Sequence, residues 1–125
     1  MNDNDRQLNE LFSLACRACI ESDSTRDFEP RFADLLDFIR LNPQCREEAL
    51  RKFLDQVLNP SGCLELLEYC MYELRWTEVK AKALEVIAGA EDWRLKSALS
   101  HVVEAFEKDW PGAKMYQRWG ATTRT

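Results

Sequence analysis

The amino-acid sequence predicts an all-α fold in which antiparallel helical hairpins stack into an array of about six helices. Three observations point there. Apolar residues recur at helical spacing along most of the chain, helix-start residues return at a fixed interval of 17, and no segment alternates β-favouring with polar residues between turns. The interval is read from Asn42-Pro43 and Asn59-Pro60 and from Trp76, Trp93 and Trp110, which put Pro43, Pro60, Thr77, Arg94 and Pro111 at one equivalent position. Proline suits the first helical position because its missing N–H has no partner there, and the preceding Asn is expected to cap the free N–H groups. Such an interval holds about 13 helical residues, roughly 20 Å, plus a tight turn to an antiparallel neighbour.

The elements follow in order. Asp3 to about Ser22 reads as a first helix, with Leu8, Leu11, Phe12, Ala15, Cys16 and Cys19 on one face. The polar stretch Ser22 to Asp27 is the expected flexible joint, and Pro30 to Leu41 reads as a second helix carrying Phe32, Leu35, Leu36 and Ile39. The third buries Cys45, Ala49, Leu50, Phe53, Leu54, Val57 and Leu58, and the fourth Leu64, Leu67, Met71 and Leu74 with Leu66 and Cys70 beside them. Val79, Ala83, Val86, Ile87 and Ala90 mark the fifth; Leu95, Ala98, Leu99, Val102, Val103 and Phe106 mark the sixth. Lys114-Met-Tyr-Gln-Arg-Trp119 is basic and aromatic, and Gly120 to Thr125 reads as a frayed tail. The expected organisation is one domain over 1–125: an N-terminal helix and polar joint at 1–27, stacked helices at 28–110, and a short C-terminal segment at 111–125.

Two intervals make one hairpin of 34 residues, and hairpins of this kind bury their apolar stripes by stacking. Cys45-Arg46 with Ala49-Leu50, and Val79-Lys80 with Ala83-Leu84, lie 34 apart and resemble the second-helix signature of HEAT-like repeats. Asp92-Trp-Arg-Leu-Lys96 with Ala98-Leu99 is an imperfect third echo. The resemblance covers roughly residues 42 to 108 and implies a short right-handed stack that binds another molecule. The same period invites a tetratricopeptide reading, but the Gly and Tyr positions of that motif do not fall in phase.

Composition narrows the function. The chain has 125 residues, 46% hydrophobic and 31% charged, with 17 Lys+Arg against 22 Asp+Glu for a formal charge of −5. A phosphate backbone would be repelled, no apolar run approaches membrane-spanning length, and the start Met1-Asn-Asp-Asn-Asp5 is acidic where a secretory signal would be basic; a cytoplasmic protein without nucleic-acid or membrane partners is expected. Five cysteines at 16, 19, 45, 63 and 70 are expected to be free thiols. Cys16-Arg-Ala-Cys19 is formally a C-x-x-C, but it lies mid-helix without a preceding strand, so core packing explains it better than redox or metal use. His101 is the lone histidine, and Ser100 beside it projects about 100° away, so no nucleophile–base pair forms. No cofactor, no metal and no catalysis are expected.

The candidate site lies on the fourth helix. On a helical wheel over 64–76, the apolar residues take one side while Glu65, Glu68, Tyr69, Tyr72, Glu73 and Trp76 take the other. Two readings of that second face stay open: its rings pack against a neighbouring helix with the glutamates at the wet edge, or its rings anchor a partner that the carboxylates steer. A second acidic area, Glu21, Asp23, Asp27, Glu29, Asp34 and Asp37, reads as a solvated helix end. The sequence therefore leads to a non-catalytic protein-binding module whose partner is basic. Size, charge and fold resemble bacterial immunity proteins, which neutralise a basic toxin domain. The alternative is a structural adaptor or scaffold subunit acting through its repeat, as a homodimer among other forms.

Overall fold

A computed structural model describes residues 3–22, 24–60 and 63–120. Among them the chain is all-α, as expected: α1 (Asp3–Glu21), α2 (Thr25–Leu41), α3 (Arg46–Leu58), α4 (Leu64–Leu74), α5 (Thr77–Gly89), α6 (Trp93–Glu104) and a short α7 (Gln117–Gly120). Turns of 3-10 helix at Pro43–Cys45 and Pro111–Met115 complete it. None of these helices is long and apolar enough to cross a membrane.

The recurring interval marks helix starts with one slip. Thr77 opens α5, Arg94 is the second residue of α6, and Pro43 and Pro111 each open a 3-10 turn, whereas Pro60 stands in the linker before α4. The capping role expected of the asparagines is corrected. Asn42 closes α2, its side-chain amide donating to the Phe38 carbonyl at 2.8 Å, and Asn59 closes α3 by donating to the Asp55 carboxylate at 3.2 Å. An amide beside unpaired last-turn carbonyls finds acceptors sooner than donors. The cap that does form is Asp92, which accepts from the Arg94 N–H at 2.9 Å and starts α6.

Helix α2 begins at Thr25, a turn and more before Pro30, which lies inside it. Proline there forfeits one backbone bond. Packing outweighs that loss, because the added turn carries Phe28 and Glu29, both buried. The joint shrinks accordingly to a connection around Ser22 and Ser24, where the Ser22 hydroxyl donates to Asp27 at 3.1 Å.

Helices α1 and α2 pair as one hairpin and α5 and α6 as another, while α3 lies along α5 and α4 along α6. Arg46 at the start of α3 holds Glu78 at the start of α5 through two bonds of 3.0 and 3.1 Å, so these two helices run the same way. The 34-residue equivalence carries through to burial: Cys45 and Val79 are buried at matching positions, and so are Ala49 and Ala83. Helix α4 is the hub, touching α1, α2, α3 and α6. Leu66, Leu67, Cys70 and Met71 are wholly buried on it.

The segment after α6 is not a loose end. Residues 110–120 form an arm that returns to the first hairpin and to α4, placing Trp110, Ala113 and Tyr116 in the core. Gly112 is required there, since an added Cβ would overlap the Trp110 indole. The tail expected to fray lies outside the described residues from Ala121 onward. Tyr116→Ala should lower unfolding free energy by about 3 kcal/mol or more, the usual cost of emptying a buried aromatic site. Met115→Ala, at an exposed neighbour, should stay within about 0.5 kcal/mol. Urea unfolding of both variants checks the contrast.

Candidate protein-docking surface

The arm settles where the α4 aromatics go. Tyr69 is fully buried, its ring centroid 5.3 Å from Phe32, 4.9 Å from Tyr116 and 4.6 Å from Trp119. Tyr72 is half-buried between Trp110 at 5.3 Å and Trp119 at 4.8 Å, and its hydroxyl donates to the Lys108 carbonyl at 3.3 Å. Trp76 stands edge-on to Phe53 at 5.8 Å, with the Arg46 guanidinium 4.6 Å over its ring. These rings pack inside the protein; the outward ridge expected as the alternative is corrected. The wheel separated two faces correctly, but α4 has neighbours on both.

The glutamates divide. Glu65 is exposed. Glu73 accepts from Arg118 Nε at 2.6 Å, from the Trp119 indole at 3.0 Å and from Arg40. Burial alone would raise its carboxyl, yet those donors and the charges of Arg118 and Arg40 hold it below the ordinary carboxylate range. Arg118 also reaches Asp37 at 3.0 Å. Glu29, expected in a wet acidic patch, is buried instead: it accepts from the Gln117 and Arg118 backbone N–H groups at 2.8 and 3.0 Å and from the Tyr69 hydroxyl at 3.2 Å. With Glu29 and Asp37 engaged and Asp23 outside the described residues, that patch thins to the exposed Glu21, Asp27 and Asp34.

Glu68 differs from its neighbours. It is partly buried, and burial first, then the negative charges of Glu65 and Glu104, push its carboxyl up to about 7. Among the described residues no group of three or more His, Cys, Asp and Glu is placed to hold a metal ion. His101 is exposed on α6, 3.6 Å from Glu104.

What stays uncovered is on the other layer. Cys45, Ala49, Phe53 and Val57 form the buried row of α3, while Leu50 and Leu54 are half-buried and Leu58 is 55% exposed. Leu84 of α5, at the position equivalent to Leu50 in the 34-residue register, is 47% exposed. Because α3 and α5 run side by side in the same direction, equivalent positions face the same way, and the leucines form one row across the layer. Glu47, Glu48, Arg51 and Asp55 flank it, with Arg51 paired to Glu48, around a shallow groove of about 560 Å³.

Sequence reasoning placed all seven apolar positions of α3 in one buried stripe. A signal against that was present: taking 100° per residue, Leu54 and Leu58 lie about 100° and 140° from Phe53, too far round for one contact face. Compared with known proteins, the chain matches no family model, no curated protein and no solved structure. It stands as a small all-helical protein, and its docking surface rests on its own geometry.

The Glu68 carboxyl makes a pH-dependence prediction. Its folded value lies above the model 4.5, so between about pH 4.5 and 7 the native state keeps a proton that the unfolded chain has released. Stability therefore falls as pH rises through that window and levels off above it. Glu68→Gln should raise unfolding free energy by about 1–2 kcal/mol near pH 8, with the gain vanishing below about pH 4.5. Urea titrations across that range read the difference.

Proposed function

We propose that this chain is a non-catalytic protein-binding module, a short HEAT-like stack of hairpins that acts in the cytoplasm and neutralises a basic protein in the manner of an immunity-type inhibitor. The observation that carries the reading is the leucine row of α3 and α5, an apolar strip left on a surface otherwise rich in charge. Solvent-exposed apolar strips rimmed by charges are where soluble proteins meet partners. Each leucine fully covered by a partner contributes about 1.5–3 kcal/mol. The net charge of −5 supports a basic partner, since long-range attraction raises the encounter rate with one.

The α4 residues take a supporting part in this reading. Glu73, Tyr69 and Tyr72 hold the arm and thereby the helix layers, while Glu65 adds negative charge at the edge. The adaptor alternative would use the same row to pair two copies of the chain.

The test compares wild type with the double variant Leu58→Glu, Leu84→Glu as bait in pull-downs from the native cytoplasm, followed by binding kinetics on the captured protein. A basic protein should be retained by wild type, with the affinity of the variant at least about tenfold weaker, some 1.4 kcal/mol, and with an on-rate that slows as salt rises. Melting temperatures of the two baits should agree within a few degrees because both side chains are substantially exposed. Equal retention by both baits refutes the leucine row. A concentration-dependent dimer of wild type by light scattering, abolished in the variant, replaces the inhibitor reading with the adaptor.

A further inference from the structure

Three of the five thiols, distant in sequence, converge where α1 meets the start of α4. Cys16 and Cys19 lie one turn apart on α1, and Cys63 stands at the N-cap of α4, hydrogen-bonded with both. The three are not alike. Cys19 and Cys63 are buried, while Cys16 is only partly covered and lines an open depression of about 230 Å³ with Phe12, Ser13, Lys52, Asp55 and Gln56. One thiol therefore meets solvent with a second directly behind it.

The polar groups around Cys16 suit a reactive sulfur. The Gln56 amide donates to Sγ at 3.1 Å. The Lys52 ammonium, held 5.7 Å from the Phe12 ring, adds positive charge beside it. The hydrogen bond with Cys63 first, then the Gln56 donor and Lys52, lower the Cys16 thiol against the opposing effect of burial, whereas Cys63 is raised. A thiolate is favoured at the accessible sulfur and a thiol at the hidden one. The Gln56 amide oxygen is buried without a hydrogen-bond partner among the described residues. Oxidation of Cys16 to a sulfenic acid would supply the O–H that this oxygen lacks.

We propose that Cys16 and Cys63 form a peroxide-oxidised thiol pair, Cys16 the attacking sulfur and Cys63 the resolving one, closing a disulfide that ties α1 to the start of α4. In the first step the Cys16 thiolate attacks one peroxide oxygen; the O–O bond breaks, an S–O bond forms, and the leaving hydroxide takes a proton to become water. In the second step the Cys63 sulfur, giving up its proton, attacks Cys16, the S–S bond forms and the S–O bond breaks with release of a second water. Two thiols lose two electrons to one peroxide. Cys19 cannot close a bond with Cys16 while α1 stays helical, because side chains one turn apart are held at helical separation.

The test is peptide mapping of the full chain by mass spectrometry under non-reducing conditions after hydrogen peroxide. The expected product is a 16–63 crosslink that has lost two hydrogens, restored by thiol reductant, with Cys45 and Cys70 still alkylatable. In Cys63→Ala the reaction should stop at the sulfenic acid, trapped on Cys16 by dimedone, while circular dichroism confirms the fold. Lys52→Met should slow alkylation of Cys16 several-fold. Five alkylatable thiols after peroxide, a crosslink between other cysteines, an intermolecular dimer through Cys16, or over-oxidation of Cys16 in wild type would each overturn the proposal.

Discussion

A carboxylate inside the protein constrains how the chain ends. Glu29 lies on α2 and is buried, and a charge withdrawn from water is tolerated only with donors around it. It finds them in the backbone N–H groups of Gln117 and Arg118 and in the Tyr69 hydroxyl. Those N–H groups open a helix and have no intrahelical partners of their own, so the carboxylate and the first turn of α7 satisfy each other. Neither half stands alone. Docking the arm brings Tyr116 and Trp119 onto Tyr69, sets Trp119 against Tyr72, and delivers Arg118 to Glu73 and Asp37. One long-range contact thus fixes the C-terminus, the first hairpin and the hub helix together.

How legible this was from sequence depends on the range of the interaction. Helix number, the starts at Thr77 and Arg94 and the buried rows of α5 and α6 follow from local periodicity, which the chain writes plainly. The direction in which Asn42 and Asn59 cap was not legible, because an asparagine between two helices can serve either, and the choice depends on which end presents its unpaired groups. Pro30 misled for a related reason. Its local preference points to a helix start, and only the burial of Phe28 and Glu29 against distant residues outweighs it. The α4 face was read correctly as acidic and aromatic, and the C-terminal segment correctly as basic and aromatic. Their complementarity was on the page, but periodicity carries no information about which segments meet.

The same distinction separates covered from uncovered surface. In α4 the polar-looking face is as enclosed as the apolar one, since the hub of a bundle touches neighbours all round, and its tyrosines keep their hydroxyls on protein acceptors. In α3 the reverse holds. Seven apolar side chains span more of the helix circumference than its contacts with α1, α4 and α5 can cover, and the surplus emerges as Leu50, Leu54 and Leu58. Excess apolar breadth on a peripheral helix, not aromatic content on a central one, is the signal of an uncovered face in a stack this small. That Leu84 repeats the position of Leu50 argues that the breadth belongs to the repeat and not to one helix alone.

Helix α4 also explains why the buried groups differ in character. Along one side it meets donors, so Glu73 is held ionised by Arg118 and Arg40. One turn earlier, Glu68 meets Glu65 and Glu104, and its charge is opposed. At its start, Cys63 meets two thiols that are neither strong donors nor charges. The fold spends its few cations on the arm: Arg118 and Arg40 converge on Glu73, leaving Glu68 without such support. An acidic chain with 17 Lys+Arg against 22 Asp+Glu must leave carboxylates uncompensated somewhere. Leaving one half-buried beside two others makes α4 the helix whose stability answers to proton concentration, while its ends are tied by aromatic packing and by sulfur.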